Sequence, residues 1–150
     1  MVASATTIKL WSEPLERAWI ALVRAPAAAL ADVQSALKSK DLPALEWYDV
    51  LLELSREADG GLRQKELSRR LLVARYNLSR LLDRLESEGL VRREPCADDA
   101  RGAVVRLTDA GRSLRERMAP AYAAAVAERV GTRLSEAEQE TLAALLRKLL

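Results

Sequence analysis

No histidine and no phenylalanine occur among the 150 residues, and cysteine occurs once, at Cys96. With those absences, and without a glycine-rich phosphate loop, the chain offers no evident transition-metal ligand set and no nucleophile paired with a base. Hydrolytic or redox catalysis is therefore the disfavoured class, and no cofactor is expected. A single thiol cannot close an intrachain disulfide, so a reducing cytoplasm is the default compartment. No basic start followed by an apolar segment opens the chain, and no run of about 18 uncharged apolar residues interrupts it, which predicts a cytoplasmic protein with no membrane partner. Aromatic residues are scarce at 4%, three Trp and three Tyr. The core must then be built from Leu, Ala and Val, a composition that favours helices.

Apolar residues are plentiful at 49%, enough at this length for one compact core with an added dimerisation element. Charged residues reach 31%, with both signs interleaved between apolar positions as on helix faces. The net charge of +2 hides an uneven distribution, because residues 62–106 hold eleven basic side chains against seven acidic. Within residues 63–80, six basic side chains are offset only by Glu66. A local cationic surface is the footprint of a polyanionic partner.

Apolar residues recurring near helical spacing, Leu15, Trp19, Leu22, Leu30, Val33 and Leu37, predict a first helix over residues 12–38, kinked or divided by Pro26. After Asp41-Leu42-Pro43 a second helix is buried through Leu45, Val50, Leu51 and Leu54, and Asp59-Gly60-Gly61 makes a turn. Two short helices follow, residues 63–70 and 74–88, joined only by Leu71-Leu72-Val73. So short a link forces a large crossing angle, the helix-turn-helix arrangement. In the second of the pair Leu78, Leu81, Leu82 and Leu85 point inward, which leaves Arg75, Tyr76, Ser79, Arg80 and Asp83 outside, and Gly89 ends it. The period then shortens: "LVRRE" and "AVVRL" read as strands flanking a polar "PCADDARG" loop, a hairpin with a charged tip.

Thr108 caps a long helix running to about residue 129, Gly131 ends it, and the "SEAE" capping box at residues 135–138 starts a last helix reaching residue 150. The apolar face of that last helix, Leu142, Leu145, Leu146 and Leu149, is too wide to stay in water. It is expected to pack, together with the first helix, against another subunit. The expected fold is mainly α: a winged helix-turn-helix with a two-stranded β-wing over residues 41–108, and a helical dimerisation region over residues 1–40 and 109–150.

On double-stranded DNA this order has a physical logic. The second helix of the pair fits the major groove, where base edges display a distinguishable donor and acceptor pattern, and Arg75, Tyr76, Asn77, Ser79 and Arg80 occupy its first turns. The wing can lie along the backbone and put an arginine into the narrow, negative minor groove. Arg101 sits at the expected tip, with Asp99 placed to accept from backbone N–H groups or from an arginine and so present it. Arg84 lies further along, suited to a phosphate or to a pair with Glu88. Arg63 is a candidate phosphate contact; Arg69, Arg70 and Arg93 are phosphate neighbours or simply solubilising charges.

The stretch over residues 77–112, "NLSRLLDRLESEGLVRREPCADDARGAVVRLTDAGR", resembles the core motif of the MarR family of winged-helix transcription regulators. The resemblance rests on Ser79-Arg80-x-x-Asp83-Arg84-Leu85-Glu86, Gly89-Leu90-Val91 with Arg93, the wing signature Asp99-x-Arg101-Gly102, and Leu107-Thr108-x-x-Gly111. Helix lengths on either side match as well. The resemblance implies a homodimer whose first and last helices form the interface, with two recognition helices entering successive major grooves of a pseudo-palindromic operator. It also implies a small aromatic or phenolic effector, held in a crevice between the dimerisation helices and the winged helix, whose binding releases the DNA. Trp19, Trp47 and Tyr48, with Arg17 as an anion partner, are candidates to line that crevice, set against the plainer reading that they are packing residues. The family often begins the first helix of its motif with Ser or Thr, whereas Arg63 stands there, a poor cap. The expected function is a ligand-responsive regulator, a repressor. Two rivals remain: a winged helix that binds protein, and a regulator that senses oxidation through Cys96, a thiol near Arg92, Arg93 and Arg101.

Overall fold

The computed structural model describes residues 10–71 and 75–150, and the side chains of Arg75, Tyr76 and Ala100 lie outside the described residues. Helix α1 spans Glu13–Lys38 and is started by Ser12, whose hydroxyl oxygen accepts from the Leu15 amide at 3.3 Å. Pro26 lies inside it without dividing it, contrary to one sequence expectation. One missing backbone bond weakens a helix of 26 residues but does not end it. Only Val33 and Leu37, towards its C-terminal end, are buried. Leu15, Trp19, Ile20, Val23 and Leu30 are exposed, and an 18-residue window of α1 has a mean hydropathy of 1.3, enough by length and composition to cross a membrane. Asp32 on this helix is ion-paired with Arg129, which ties α1 to a segment distant in the chain.

Asp41 takes a positive φ of 54°, a conformation Asp tolerates, and turns the chain into α2, Leu45–Ser55. Ala44 has no side chain with which to cap α2; the acceptor comes from α1, where Gln34 Oε1 receives the Leu45 amide at 3.0 Å. Leu45, Val50, Leu51 and Leu54 are buried as their spacing predicts, and Tyr48 joins them. After the turn at Asp59 and Gly60 comes a strand that the sequence did not announce, β1, Gly61–Arg63. Three residues are too few to show alternation. Helices α3 (Gln64–Arg70) and α4 (Arg75–Ser87) follow, and Gly89, with φ 71°, ends the second.

Strands β2 (Val91–Cys96) and β3 (Asp99–Leu107) form the hairpin, with β1 added on the far edge, giving an antiparallel sheet of order β1-β3-β2. The polar loop expected over "PCADDARG" is mostly strand. Pro95 stands opposite Ala103 and Cys96 opposite Asp99, after a register irregularity between Pro95 and Cys96, so that Ala97 and Asp98 alone make the turn. Polarity did not keep these residues out of a strand, because cross-strand pairing satisfies the backbone of a polar residue as well as that of an apolar one.

Thr108 caps α5, Asp109–Val126: its hydroxyl oxygen accepts from the Gly111 amide at 3.1 Å and its hydroxyl donates to the Gly89 carbonyl at 2.6 Å. The chain then passes into a π-helical turn, Ala127–Gly131, before α6, Glu136–Arg147, which carries both bonds of its capping box. The α-helical parts are thus shorter than periodicity suggested, by about a turn at each C-terminal end. The core lies where the C-terminal end of α1 meets α2, α3, α4, the sheet and the middle of α5. Leu37, Leu51, Leu54, Leu67, Leu78, Leu82, Leu85 and Met118 are wholly buried there, and each such side chain contributes about 1.5–3 kcal/mol on removal from water. Helix α6 has no buried residue; Leu142, Leu145 and Leu146 stand exposed on it, and Leu149 just beyond its end.

Candidate nucleic-acid interface

Helix α4 sits on the core through Leu78, Leu81, Leu82 and Leu85, which turns Asn77, Arg80, Asp83 and Arg84 to solvent. Its C-terminal half is tied to the wing by Arg93. The Arg93 backbone N–H donates to Glu86 Oε1 at 2.8 Å, its Nε and Nη2 donate to Glu86 Oε2 at 3.0 and 2.7 Å, and Nη2 also reaches Asp83 Oδ1 at 2.6 Å. Hydrogen bonds from the Arg93 side chain and backbone hold the Glu86 carboxyl below the usual carboxylate range, and the same contacts raise Arg93. Arg93 is therefore a clamp between α4 and β2, not a phosphate neighbour or a solubilising charge. It also explains why Asp83, Glu86 and Arg93 stand together in the sequence motif.

A second clamp spans the sheet. Arg106, on the central strand, donates from Nε to Glu94 Oε2 at 2.7 Å and from Nη1 to Asp59 Oδ2 at 3.0 Å. Arg70 is held in the same way by Glu57 at 2.6 Å, with Glu66 and Glu53 further off, which withdraws it from the expected phosphate contacts. At the wing, Asp99 Oδ1 accepts the Arg101 backbone N–H at 3.0 Å, the loop-holding bond that the spacing of the two residues suggested. Arg101 itself is exposed.

These pairings sort the cations of residues 62–106. Arg63, Arg69, Arg70, Arg92, Arg93 and Arg106 are ion-paired, Arg69 with Glu66 at 3.6 Å. Among the described residues Lys65, Arg80, Arg84 and Arg101 make no ion pair, so the alternative pairing of Arg84 with Glu88 is not formed. Two open clefts flank α4. One, of about 440 Å³ between α3, α4 and the wing, brings together Arg63, Lys65, Ser68, Ser79, Asp99 and Arg101. The other, of about 380 Å³, lies between α2 and α4, with Asn77, Arg80 and Arg84 on one wall and Glu46 and Asp49 on the other. Burial, with Glu53 and Glu46 nearby, raises the Asp49 carboxyl above its ordinary value.

The site residues expected from sequence thus divide. Arg63, Ser79, Asp99 and Arg101 share the wing cleft, Asn77, Arg80 and Arg84 the α2 cleft, and Arg69 stands outside both; the side chains of Arg75 and Tyr76 lie outside the described residues. Lys65 and Ser68 join the wing cleft without having been singled out, since nothing but the charge of Lys65 marks them in the sequence. The four residues offered for an effector crevice have different surroundings in the single chain. Tyr48 is buried and stacked on Tyr122, ring centroids 4.6 Å apart, which makes it a packing residue. Trp47 is half-buried against the core, Trp19 is exposed on α1, and Arg17 is an exposed partner of Glu13 at 3.9 Å. Cys96 is half-buried on β2, its β-carbon against Gly102.

Known proteins agree with this geometry. Residues 40–102 match the MarR family. An uncharacterised HTH-type transcriptional regulator of Bacillus cereus is 31% identical over 130 residues, covering 87% of this chain and 84% of that one. Among solved structures, the MarR family regulator Sco3205 of Streptomyces coelicolor, in complex with DNA, has a TM-score of 0.84 at 28% identity and covers 96% of this chain and 90% of its own. A mutant of MarR from E. coli, complexed with operator DNA, has a TM-score of 0.77 at 29% identity, with 92% and 94% covered. With the helix pair, the hairpin wing in its three-stranded sheet and these relatives in agreement over nearly all its length, the chain belongs to the MarR family of winged helix-turn-helix, DNA-binding transcription regulators.

Proposed function

We propose that the protein is a ligand-responsive repressor of the cytoplasm that grips a pseudo-palindromic operator as a homodimer and releases it when a small aromatic or phenolic effector binds. The observation that carries the DNA-binding part is the distribution of those cations that, among the described residues, make no ion pair. Lys65, Arg80, Arg84 and Arg101 bracket the exposed face of α4, while the neighbouring arginines are neutralised by carboxylates. In this reading Asn77, Ser79 and Arg80 face base edges in the major groove. Arg101, presented by Asp99, enters the minor groove or lies against the backbone, and Lys65 and Arg84 neutralise phosphates. That two related regulators were solved with DNA supports the choice of partner.

The dimer part rests on the exposed apolar residues of α1 and α6, which water does not favour and a second copy would cover. The division into a winged helix over residues 41–108 and a dimerisation region over residues 1–40 and 109–150 follows from the same reading. An effector then acts by shifting the spacing of the two lobes, and it can do so only through different affinities for the two states. Exposed Trp19 and half-buried Trp47 offer aromatic surface for it on α1 and α2.

Fragments of the source genome selected on the protein supply the duplex for the test. Arg101→Ala should weaken binding to it and flatten the plot of log affinity against log salt by about 0.9 for each phosphate no longer neutralised. Unchanged affinity and slope would overturn the wing assignment. A compound that binds tightly yet leaves operator affinity unchanged is not the effector this switch requires.

A further inference from the structure

We propose that Asp98, in the wing turn, is an internal stand-in for a DNA phosphate: it occupies Arg63 in the free protein and yields it to the duplex. The inference rests on the DNA-binding reading above and adds to it a residue that sets how tightly any duplex is held. Arg63 is the last residue of β1, in register with Val104 of β3, and it occupies the capping position of α3 without capping it. Its guanidinium reaches the hairpin instead, where Nη2 donates to Asp98 Oδ2 at 3.1 Å.

The pair is unlike the two clamps of this region. The side chains of Arg93 and Arg106 are 26% and 29% exposed, and each is held by two carboxylates. The side chains of Arg63 and Asp98 are 56% and 80% exposed, and the two make a single bond. A pair so open to water contributes little to stability and exchanges partners readily. Its position gives the exchange a consequence. Arg63 lines the cleft shared by Lys65, Ser79 and Arg101, the surface on which a phosphate backbone would lie. The adjacent carboxylate of Asp99 is engaged by the Arg101 amide, whereas Asp98 has Arg63 as its ion-pair partner.

A phosphate approaching this cleft meets the Asp98 carboxylate and must take Arg63 from it. Arg63 is compensated by an anion before and after, so its contribution to binding is the difference between two ion pairs. The result is a sequence-independent brake on the phosphate-driven part of the affinity, which leaves a larger share of operator binding to the base contacts of α4.

Asp98→Asn keeps the shape of the turn and removes the charge. Binding is read by fluorescence anisotropy of the full chain on a genome-selected duplex and on an unrelated duplex, across a salt series. Both duplexes should bind about fivefold more tightly at low salt, the factor for one unit charge removed at about 4 Å in water. The salt slope should stay close to the parent's, because Arg63 meets a phosphate in both complexes and only the cost of taking it from Asp98 is removed. In an Arg63→Ala background the same substitution should change affinity about twofold or less, since only a screened repulsion is then relieved. An Asp98→Asn variant with unaltered affinity, or an equal gain with and without Arg63, overturns the proposal while leaving the DNA-binding reading intact. A wild-type chain that binds no duplex overturns both.

Discussion

Replacing Gly111 by alanine should destabilise the protein, although helix propensity argues the reverse. Gly111 lies in the first turn of α5, and within helices alanine is favoured over glycine by about 1 kcal/mol. At this place, however, a β-carbon would overlap the Leu90 carbonyl oxygen and lie 2.8 Å from Leu107 Cδ1 and 3.1 Å from the Leu90 carbonyl carbon. Leu90 cannot easily retreat. Its amide donates to the Leu85 carbonyl at 2.9 Å, and its own carbonyl accepts the Thr108 amide at 3.2 Å. Relief therefore requires the start of α5 to lift from the junction of α4 and β2, straining the bonds of Thr108 to Gly89 and Gly111. Overpacking costs about 1–3 kcal/mol. One or two weakened hydrogen bonds add about 0.5–1.5 kcal/mol each. Set against the propensity gain, the net loss is about 2 kcal/mol, or a fall in Tm of about 4–8 °C for a chain of this length. Urea unfolding followed by circular dichroism, at one fixed protomer concentration, should show a lower midpoint with an unchanged slope. A Gly111→Ala variant as stable as the parent would refute the close approach of α5 to Leu90. It would also leave the glycine of the Leu107-Thr108-x-x-Gly111 motif without this explanation.

Two other outcomes follow from the clamps and from the exposed stripe. Glu86→Gln removes the charge that Arg93 grips, and with side chains 26% and 37% exposed the loss at neutral pH should be about 1 kcal/mol after solvent screening. Because the folded Glu86 carboxyl lies below its ordinary value of 4.5, its stabilisation is present above that value and is lost as pH falls through the depressed one. The gap between parent and variant in urea titrations should therefore close in acid; a gap that persists through the acid range contradicts the clamp. Leu145→Glu alters a residue 54% exposed in the single chain, so helix content should be retained while sedimentation shifts towards a monomer. A dimer that survives the charge would place the interface elsewhere.

Much of the architecture was legible because it is local. A leucine every third or fourth position marks the buried face of α4, Ser135 and Glu138 write a capping box, and Thr108 marks the start of α5, each within a few residues of the structure it makes. The motif that resembled a known family also lay in one continuous stretch. Strand β1 was hidden because three residues carry no period, and the hairpin was read too short because its polar residues pair across the sheet, a relation invisible along the chain.

The division between the candidate site and its supports was settled by tertiary structure. Arg93 and Arg101 stand eight positions apart with the same side chain, yet the first is locked to Glu86 and Asp83 while the second, among the described residues, makes no ion pair. Tyr48 and Trp19 looked like companions and proved to be a stacked core residue and a solvent-facing one. Sequence determined which residues carry charge and which segments coil, since both are properties of a residue and its near neighbours. Whether a charge is free to meet a partner depends on which carboxylates the fold brings within about 4 Å of it, and that is decided only when distant segments meet.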